Sequence, residues 1–271
     1  MQEPVSNRIP QRALRRWAML FALVTGSSAM AAEFGGAVTL VASRSPDYLG
    51  ASDSGTSVRP GFLLTWGRFS LSSGGGFAAT RQDKVVRGLG YELTRTDNLN
   101  VNLGLRFDGG RSESESPALA GMGDVKATIR ARVSAGYRLS EFWRLEGAWT
   151  VDAFDRGGGN LVELSLERQQ WIAERTQLTW GGTLNVAGPR YMRTYFGVTA
   201  EQAARSGYPE YSPGMGLRDV AAFVSLKTDI GADWVVLGAL SVSRVIGPAA
   251  DSPLVQKATG YGVTVGLGYR F

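Results

Sequence analysis

The side chains of this chain that could do chemistry are charged groups spaced two apart, as in Arg130 and Arg132 or Arg144 and Glu146. None of them has the partners of an imidazole-based or thiol-based site, because the 271 residues include no His and no Cys. Ser-His-Asp relays, His-bearing or thiolate metal sites and Cys nucleophiles are therefore excluded. Carboxylate or Lys chemistry stays open, although no carboxylate pair stands out. We expect a non-enzymatic protein with no catalytic residue, metal ion or cofactor.

Ten charged residues lie in segments where polar and apolar positions alternate. They are Arg106, Lys126, Arg130, Arg132, Arg144, Glu146, Glu163, Glu167, Lys227 and Arg270. If the apolar positions face lipid, these side chains face the interior of a barrel. Opposite signs on neighbouring strands then either pair and plug that interior or line a narrow water-filled pore. We favour a plugged or narrow interior, and the sequence leaves the choice open because pairing across a barrel depends on its shear.

The elements that must position these groups are β-strands. From Leu99 to Asp108 the odd-numbered positions are apolar and the even-numbered positions are polar or Gly, which gives the two faces of a strand different characters. Beyond Glu33 no apolar stretch approaches the length of a membrane helix. Twelve strands are predicted, with ten as the alternative because the links within 69–95 are indistinct. The twelve segments are 33–43, 58–66, 69–79, 85–95, 99–108, 125–137, 143–152, 160–170, 176–187, 218–229, 234–246 and 260–271.

Loop lengths distinguish a membrane barrel from a soluble β-sandwich, which would show the same alternation. Short links follow the even-numbered strands, whereas most links after odd-numbered strands are long. This parity is expected of a transmembrane antiparallel β-barrel with short periplasmic turns and long extracellular loops. The aromatic residues near the short-turn ends fit an interfacial girdle, and they are Trp66, Phe69, Trp143, Trp171, Trp234 and Phe271. The sequence therefore predicts an all-β protein that spans the outer membrane of a Gram-negative cell and contacts its lipid.

The first 31 residues are predicted to be a cleaved signal peptide, which leaves 32–271 as the barrel. Basic residues between Arg8 and Arg16 precede an apolar stretch at 17–24, and small residues flank a cleavage point before Ala32. Removing this segment takes four of the 29 basic and one of the 24 acidic residues, so the remaining net charge is only +2. We expect no nucleic-acid partner, because no basic stripe is left to bind one.

The C-terminus carries a pattern typical of outer-membrane proteins. Gly266 follows a polar residue at 264, and Tyr269 and Phe271 occupy the antepenultimate and final positions. This pattern resembles the terminal signal that the barrel-assembly machinery reads. We therefore expect that machinery to be a partner during insertion, with Gly266, Tyr269 and Phe271 as the signal residues.

The long link at 188–217 is the one insertion with internal order. Thr199, with Gln202 three residues later, forms a capping-box pattern before an Ala-rich stretch that Gly207 ends, so one short helix is predicted. Large apolar and aromatic residues surround it, namely Tyr191, Met192, Tyr195, Phe196, Tyr208 and Tyr211. They predict either a loop packed over the barrel mouth or a surface for a partner.

Several strings in the loops and at strand starts are more specific than the alternation. The longest covers 191–203 and continues through 206–207, Tyr211 and 216–220; the others are 46–50 with 58–60, 88–91, 121–125, 250–255 and 268–271. Through these strings the chain, from the barrel's first strand to its last, resembles the MipA/OmpV family, the MltA-interacting proteins of the outer membrane.

This resemblance implies a scaffold without enzymatic activity. Its expected partners are a murein lytic transglycosylase and a bifunctional murein synthase, which such a scaffold would link at the outer membrane. Other members are associated with adhesion, osmotic response and uptake of solutes, so a narrow channel or an adhesin is the alternative function.

Overall fold

The computed structural model describes residues 34–73 and 87–271, and these residues form a closed antiparallel barrel of twelve strands. Each strand pairs with its neighbour in the chain, and β1 closes the barrel against β12. The strands are β1 (Phe34–Pro46), β2 (Ser54–Trp66), β3 (Phe69–Ser72), β4 (Gly88–Arg95), β5 (Leu99–Asp108), β6 (Thr128–Arg138), β7 (Trp143–Asp152), β8 (Asn160–Ala173), β9 (Thr176–Ala187), β10 (Gly216–Ile230), β11 (Trp234–Val245) and β12 (Thr259–Arg270). The predicted barrel of twelve strands is confirmed.

The predicted strand bounds differ from the observed ones at several strand ends, most clearly in the β1–β2 hairpin and at the start of β6. The β1–β2 hairpin is longer than predicted, because its register continues from Ser43 opposite Ser57 to Pro46 opposite Ser54. Strand β6 begins at Thr128 instead of Val125, since Val125 pairs only with Arg111 in an isolated bridge of the loop. The signal peptide at 1–31 and most of the predicted segment 69–79 lie outside the described residues, as does the start of 85–95.

The alternating pattern places apolar side chains on the outside of the barrel and polar side chains inside. On β12, Val263, Val265 and Leu267 are exposed, whereas the intervening Gly266 and Gly268 are buried. On β5, Leu103 and Leu105 are likewise exposed on either side of the buried Gly104. Exposed apolar side chains are stable in hydrocarbon, and a closed barrel leaves no strand edge with unpaired amides there. No helix among the described residues is long and apolar enough to cross a membrane.

The two ends of the barrel differ as the loop parity predicts. At one end, short turns join β2 to β3, β4 to β5, β6 to β7, β8 to β9 and β10 to β11. The barrel's first and last residues meet at this end, where the Phe271 amide donates to the Gly36 carbonyl at 3.1 Å. Aromatic pairs lie on the outside near the same end, including Trp66 with Phe69 and Trp234 with Tyr269. Short turns mark the periplasmic end, so the long loops are extracellular.

The loop between β9 and β10 contains two helices, where one was predicted. The predicted helix is confirmed as α2 (Ala200–Ser206): Thr199 and Gln202 complete the capping box, and Gly207 ends the helix with a φ of 78°. The additional helix is α1 (Pro189–Phe196), which begins at Pro189 after Gly188 without any side-chain cap. The sequence gives no capping signal for this helix. Burial of Met192 and Phe196 stabilises it instead.

Candidate functional site

Three loops pack together at the extracellular mouth of the barrel, and we call them the extracellular cap: residues 109–127, 188–215 and 246–258. A first apolar cluster places Met192 and Phe196 of α1 against Val245 and Ala249. A second cluster joins Met122, Val198 and Leu254, one from each loop. All of these side chains are buried. Each loop therefore buries apolar surface against the other two, which makes the cap a packed structure.

Hydrogen bonds between the loops reinforce this packing. The Ser252 hydroxyl donates to the Phe196 carbonyl at 2.6 Å, and the Gln202 side-chain amide donates to the Met122 carbonyl at 2.6 Å. From the β1–β2 hairpin, the Tyr48 hydroxyl donates to the Leu254 carbonyl at 2.9 Å. Burial raises the pKa of Tyr48 to about 12. Tyr48 thus stays a neutral donor over the physiological range and ties a fourth segment to the cap.

The six large residues singled out in the loop at 188–217 all belong to this cap, and none of them is exposed. Met192 and Phe196 lie in the first cluster, whereas Tyr208 and Tyr211 pack beside the second. The rings of Tyr191 and Tyr195 lie 4.5 Å apart, centroid to centroid. The structure therefore brings the six together in the packed arrangement, with their aromatic surface turned into the cap.

Arginine side chains connect the cap to the strands below it. Arg130 of β6 is 4% exposed and forms an ion pair with Asp108 of β5. Its remaining donors reach the Gly158 carbonyl at 3.0 Å and the Tyr195 hydroxyl at 3.3 Å. Arg218 of β10 donates to the Tyr191 hydroxyl at 2.8 Å. Each guanidinium is bonded on several sides, so these arginines act as links between barrel and cap.

Deeper in the lumen, charged side chains pair between nearby strands. Arg132 of β6 lies 2.9 Å from Glu163 of β8 and 3.4 Å from Glu146 of β7, so one guanidinium bridges three strands. On the opposite wall, Arg270 of β12 contacts Asp229 of β10 at 2.6 Å. These pairs stabilise the barrel interior, because a buried charge is costly unless it is paired.

The structure places nine of the ten candidate lumen charges on inward-facing strand positions. The nine are Arg106, Arg130, Arg132, Arg144, Glu146, Glu163, Glu167, Lys227 and Arg270. Lys126 differs: it is exposed in the loop before β6, because the strand begins two residues later than the alternation suggested. Two important partners, Asp108 and Asp229, were not singled out by the sequence analysis, although both occupy polar positions of the same alternating pattern.

A cavity of about 200 Å³ opens in the lumen beside β5, β6 and β7. Five arginines and two glutamates line it: Arg87, Arg106, Arg130, Arg132, Arg144, Glu146 and Glu163. A second cavity shares Asn100, Gly136 and Arg144 with the first and reaches the β4–β5 turn at 96–98. Two polar cavities therefore adjoin along this wall, between the lumen and the periplasmic turn, and the wall is rich in positive charge.

The short turns form a polar surface, which we call the periplasmic rim: residues 67–68, 96–98, 139–142, 174–175 and 231–233. Four exposed acidic and two exposed basic side chains lie on it, namely Asp97, Glu141, Glu174, Asp233, Arg68 and Arg175. The rim therefore carries a net charge of −2. Around it, Tyr269 and Phe271 point outward on the last strand while Gly266 is buried, which is where the predicted assembly signal lies.

Among the described residues, no group of three or more acidic side chains could hold a metal ion. The acidic side chains of the 109–127 loop instead bond to the loop itself. Asp124 accepts from the Ser112 hydroxyl and the Glu113 amide, both at 2.9 Å, and these bonds lower its pKa. This cluster orders the loop.

Residues 38–271 match the family model described as MltA-interacting protein MipA. The chain belongs to this family. The MltA-interacting protein of Escherichia coli K12 is 24% identical over 152 residues, which cover 55% of this chain and 58% of that protein. The chain therefore matches less than two thirds of that relative. The putative outer membrane protein YiaT of the same organism is 24% identical over 191 residues, covering 68% of this chain and 74% of YiaT.

Solved structures with a similar fold include an outer membrane channel from Pseudomonas putida F1, with 12% identity, a TM-score of 0.46, and coverage of 92% of this chain and 98% of that one. The NanC porin has 9% identity, a TM-score of 0.44, and coverage of 86% and 98%. This member of the MipA family is an outer-membrane β-barrel, as its sequence predicts.

The strings through which the sequence resembles the MipA family mostly build the extracellular cap. Tyr48 lies in one string, and residues 191–203 contain most of α1 and the start of α2. Residues 121–125 and 250–255 supply the second-cluster partners of Val198. In this chain, these strings therefore take part in the packing of the cap.

Proposed function

We propose that this protein is a non-enzymatic scaffold whose periplasmic rim binds a murein-processing enzyme of the lytic transglycosylase class. The observation that supports this proposal is the packing of the extracellular cap, in which the aromatic side chains of the loops contact one another and are not exposed to a partner. The exposed polar surface that remains on the murein side of the membrane is the rim. One relative bears the name MltA-interacting protein, which agrees with a partner of this kind.

The charge of the rim suggests how such a partner is recognised. Its four carboxylates and two basic groups belong to five turns spaced around the barrel end. An acidic ring of this kind attracts a basic patch and orients it before contact, an effect that salt weakens. A bifunctional murein synthase is the second partner that the family resemblance implies, and it would bind the same end of the barrel or the bound transglycosylase.

A direct binding measurement tests the proposal. The purified barrel is immobilised in detergent micelles and exposed to a soluble murein lytic transglycosylase, with binding followed by biolayer interferometry. The triple variant Asp97→Lys, Glu141→Lys and Glu174→Lys changes the rim charge from −2 to +4. We expect it to bind at least about tenfold more weakly, because each reversal removes an attraction and adds a repulsion.

The matched control is Glu210→Lys, which reverses an exposed carboxylate on the extracellular cap. It should bind like the unaltered protein, and both variants should show the same heat-dependent migration on a gel. If the unaltered barrel does not bind the enzyme, or if the triple variant binds as tightly, the rim is not the docking surface.

A narrow channel is the second candidate function, and the polar cavities that reach the periplasmic end favour it. The cap opposes it, because the cap covers the other mouth. Conductance in planar bilayers separates the two functions. A scaffold with an intact cap should give no steps across a range of salt concentrations, whereas regular steps from the unaltered protein would establish the channel.

A further inference from the structure

Arg106 in the lumen lacks the partners that Arg130 and Arg132 have. Within residues 34–73 and 87–271, Arg130 pairs with Asp108, and Arg132 takes both Glu146 and Glu163. Among these residues the guanidinium of Arg106 forms no side-chain hydrogen bond and has no carboxylate within 4.0 Å. It lies in electrostatic range of Asp108 and of three other arginines.

The strand register makes this arrangement unfavourable on its own. Arg106 of β5 lies directly opposite Arg130 of β6, and like charges at opposed positions destabilise a sheet. Asp108, the carboxylate next along β5 on the same face, is engaged by Arg130. The low dielectric of a partly enclosed lumen increases the repulsion. An additional negative charge beside Arg106 would relieve it.

The cavity at this point has the size and the donors for such a charge. Its volume of about 200 Å³ equals that of roughly six water molecules at ~30 Å³ each. Guanidinium groups bind carboxylate and phosphate oxygens through paired N–H donors. Neutral polar side chains of Asn100 and Asn102 also line the cavity. Its two carboxylates, Glu146 and Glu163, both contact Arg132.

We infer that Arg106, beside Arg132 in the lumen cavity, forms a binding site for a small oxyanion bearing a carboxylate or phosphate group. We expect the anion to enter from the periplasm, because a second polar cavity that shares Asn100, Gly136 and Arg144 with this one lies at the turn at 96–98. Toward the outside, Arg130 is bonded to the Gly158 carbonyl and to the Tyr195 hydroxyl of the cap. This inference does not rest on the scaffold function, since it concerns the lumen and not the rim.

Isothermal titration calorimetry on the detergent-solubilised full barrel tests the site. Inorganic phosphate and acetate are titrated separately at constant ionic strength, with sodium chloride as the background salt. We expect saturable binding of at least one of them. Arg106→Gln should weaken that binding at least about tenfold, because a charged hydrogen-bond donor is lost. Arg106→Lys, which keeps the charge without the paired donors, should fall between the two.

Arg193→Gln is the matched control, because it removes one positive charge from an exposed position on α1. It should bind like the unaltered protein. Binding of phosphate alone identifies a phosphate site, binding of acetate alone a carboxylate site, and binding of both a general oxyanion site.

The site does not exist if neither anion gives a saturable isotherm, or if Arg106→Gln binds as the unaltered protein does. Heat-dependent gel migration of each variant shows that the barrel is intact. A failure here leaves binding of a murein enzyme at the rim unaffected, so the two proposals fail separately.

Discussion

The substitution Phe196→Ala should open the extracellular cap without unfolding the barrel. Phe196 is 3% exposed and packs with Met192, Val245 and Ala249 at the base of α1. An aromatic side chain of this kind buries about 150–250 Å², which at about 25 cal/mol per Å² gives roughly 4–6 kcal/mol as an upper bound. Measured Phe→Ala changes in protein cores cost about 3–5 kcal/mol. We therefore expect the closed cap to lose at least about 3 kcal/mol.

Limited proteolysis with trypsin measures this loss. The 188–215 loop contains Arg190, Arg193 and Arg205 as cleavage points, and cleavage there requires the cap to open. When opening and closing are fast relative to cleavage, the rate follows the open population. A loss of about 3 kcal/mol then accelerates cleavage roughly a hundredfold. The strands should stay protected, because their ladders and lipid-facing surfaces are unchanged.

The control is Met215→Ala in the same loop, since Met215 is 71% exposed and outside both apolar clusters. Its cleavage rate should match that of the unaltered protein. The packing argument is refuted if Phe196→Ala is cleaved no faster than Met215→Ala while heat-dependent migration shows both barrels folded.

Three further substitutions test other parts of the structure. The pKa of Tyr48 is raised from 10.0 to about 12, so its hydrogen bond to the Leu254 carbonyl is intact below pH 10 and is lost as the pH rises through about 12. In a tyrosinate absorbance titration, Tyr48→Phe should therefore remove the ionisation near pH 12. Thr199→Ala removes the capping box and should weaken α2 by about 1 kcal/mol, seen as faster amide exchange at 200–206. Asp229→Asn removes the carboxylate charge that Arg270 contacts at 2.6 Å and should lower the free energy of unfolding by about 3 kcal/mol, measured by urea titration in detergent.

Each of these results has a clear contrary outcome. An unchanged titration curve for Tyr48→Phe would mean that Tyr48 ionises with the exposed tyrosines. Equal exchange in Thr199→Ala would show that packing alone holds α2. For the buried pair, Asp97→Asn on the exposed rim is the control, and an equal effect of the two substitutions would remove any special role of Asp229.

The barrel could be predicted from the sequence because every spanning strand carries the same signal. Each must present apolar side chains to lipid and polar ones to the lumen, so the period of two repeats through Leu99–Asp108 as it does through Thr259–Arg270. The alternation of short and long loops then indicated which end of the barrel is periplasmic and which is extracellular. The pattern failed only where a strand gives way to a loop: alternation continues through Lys126, although the strand starts at Thr128.

The cap and the lumen pairs could be predicted only in part. Helix α1 lacks a polar capping residue, and its stability comes from contacts with Val245 and Ala249, which are distant in sequence. The bond from Arg132 to Glu163 joins β6 to β8, two strands away, so it depends on the shear and tilt of the closed barrel. Residue types identified the lumen charges, but three-dimensional closure decides which of them meet.

Cross-linking in living cells tests the proposed scaffold most directly. The chain has no Cys, so Glu141→Cys on the periplasmic rim and Glu210→Cys on the extracellular cap each introduce a single thiol. A short thiol-to-amine cross-linker is applied, and the products are identified by mass spectrometry. A scaffold with a periplasmic docking rim should give a cross-link to a murein lytic transglycosylase from position 141 and none from position 210. Absence of that product from a folded Glu141→Cys barrel, or its appearance from Glu210→Cys, would contradict the account.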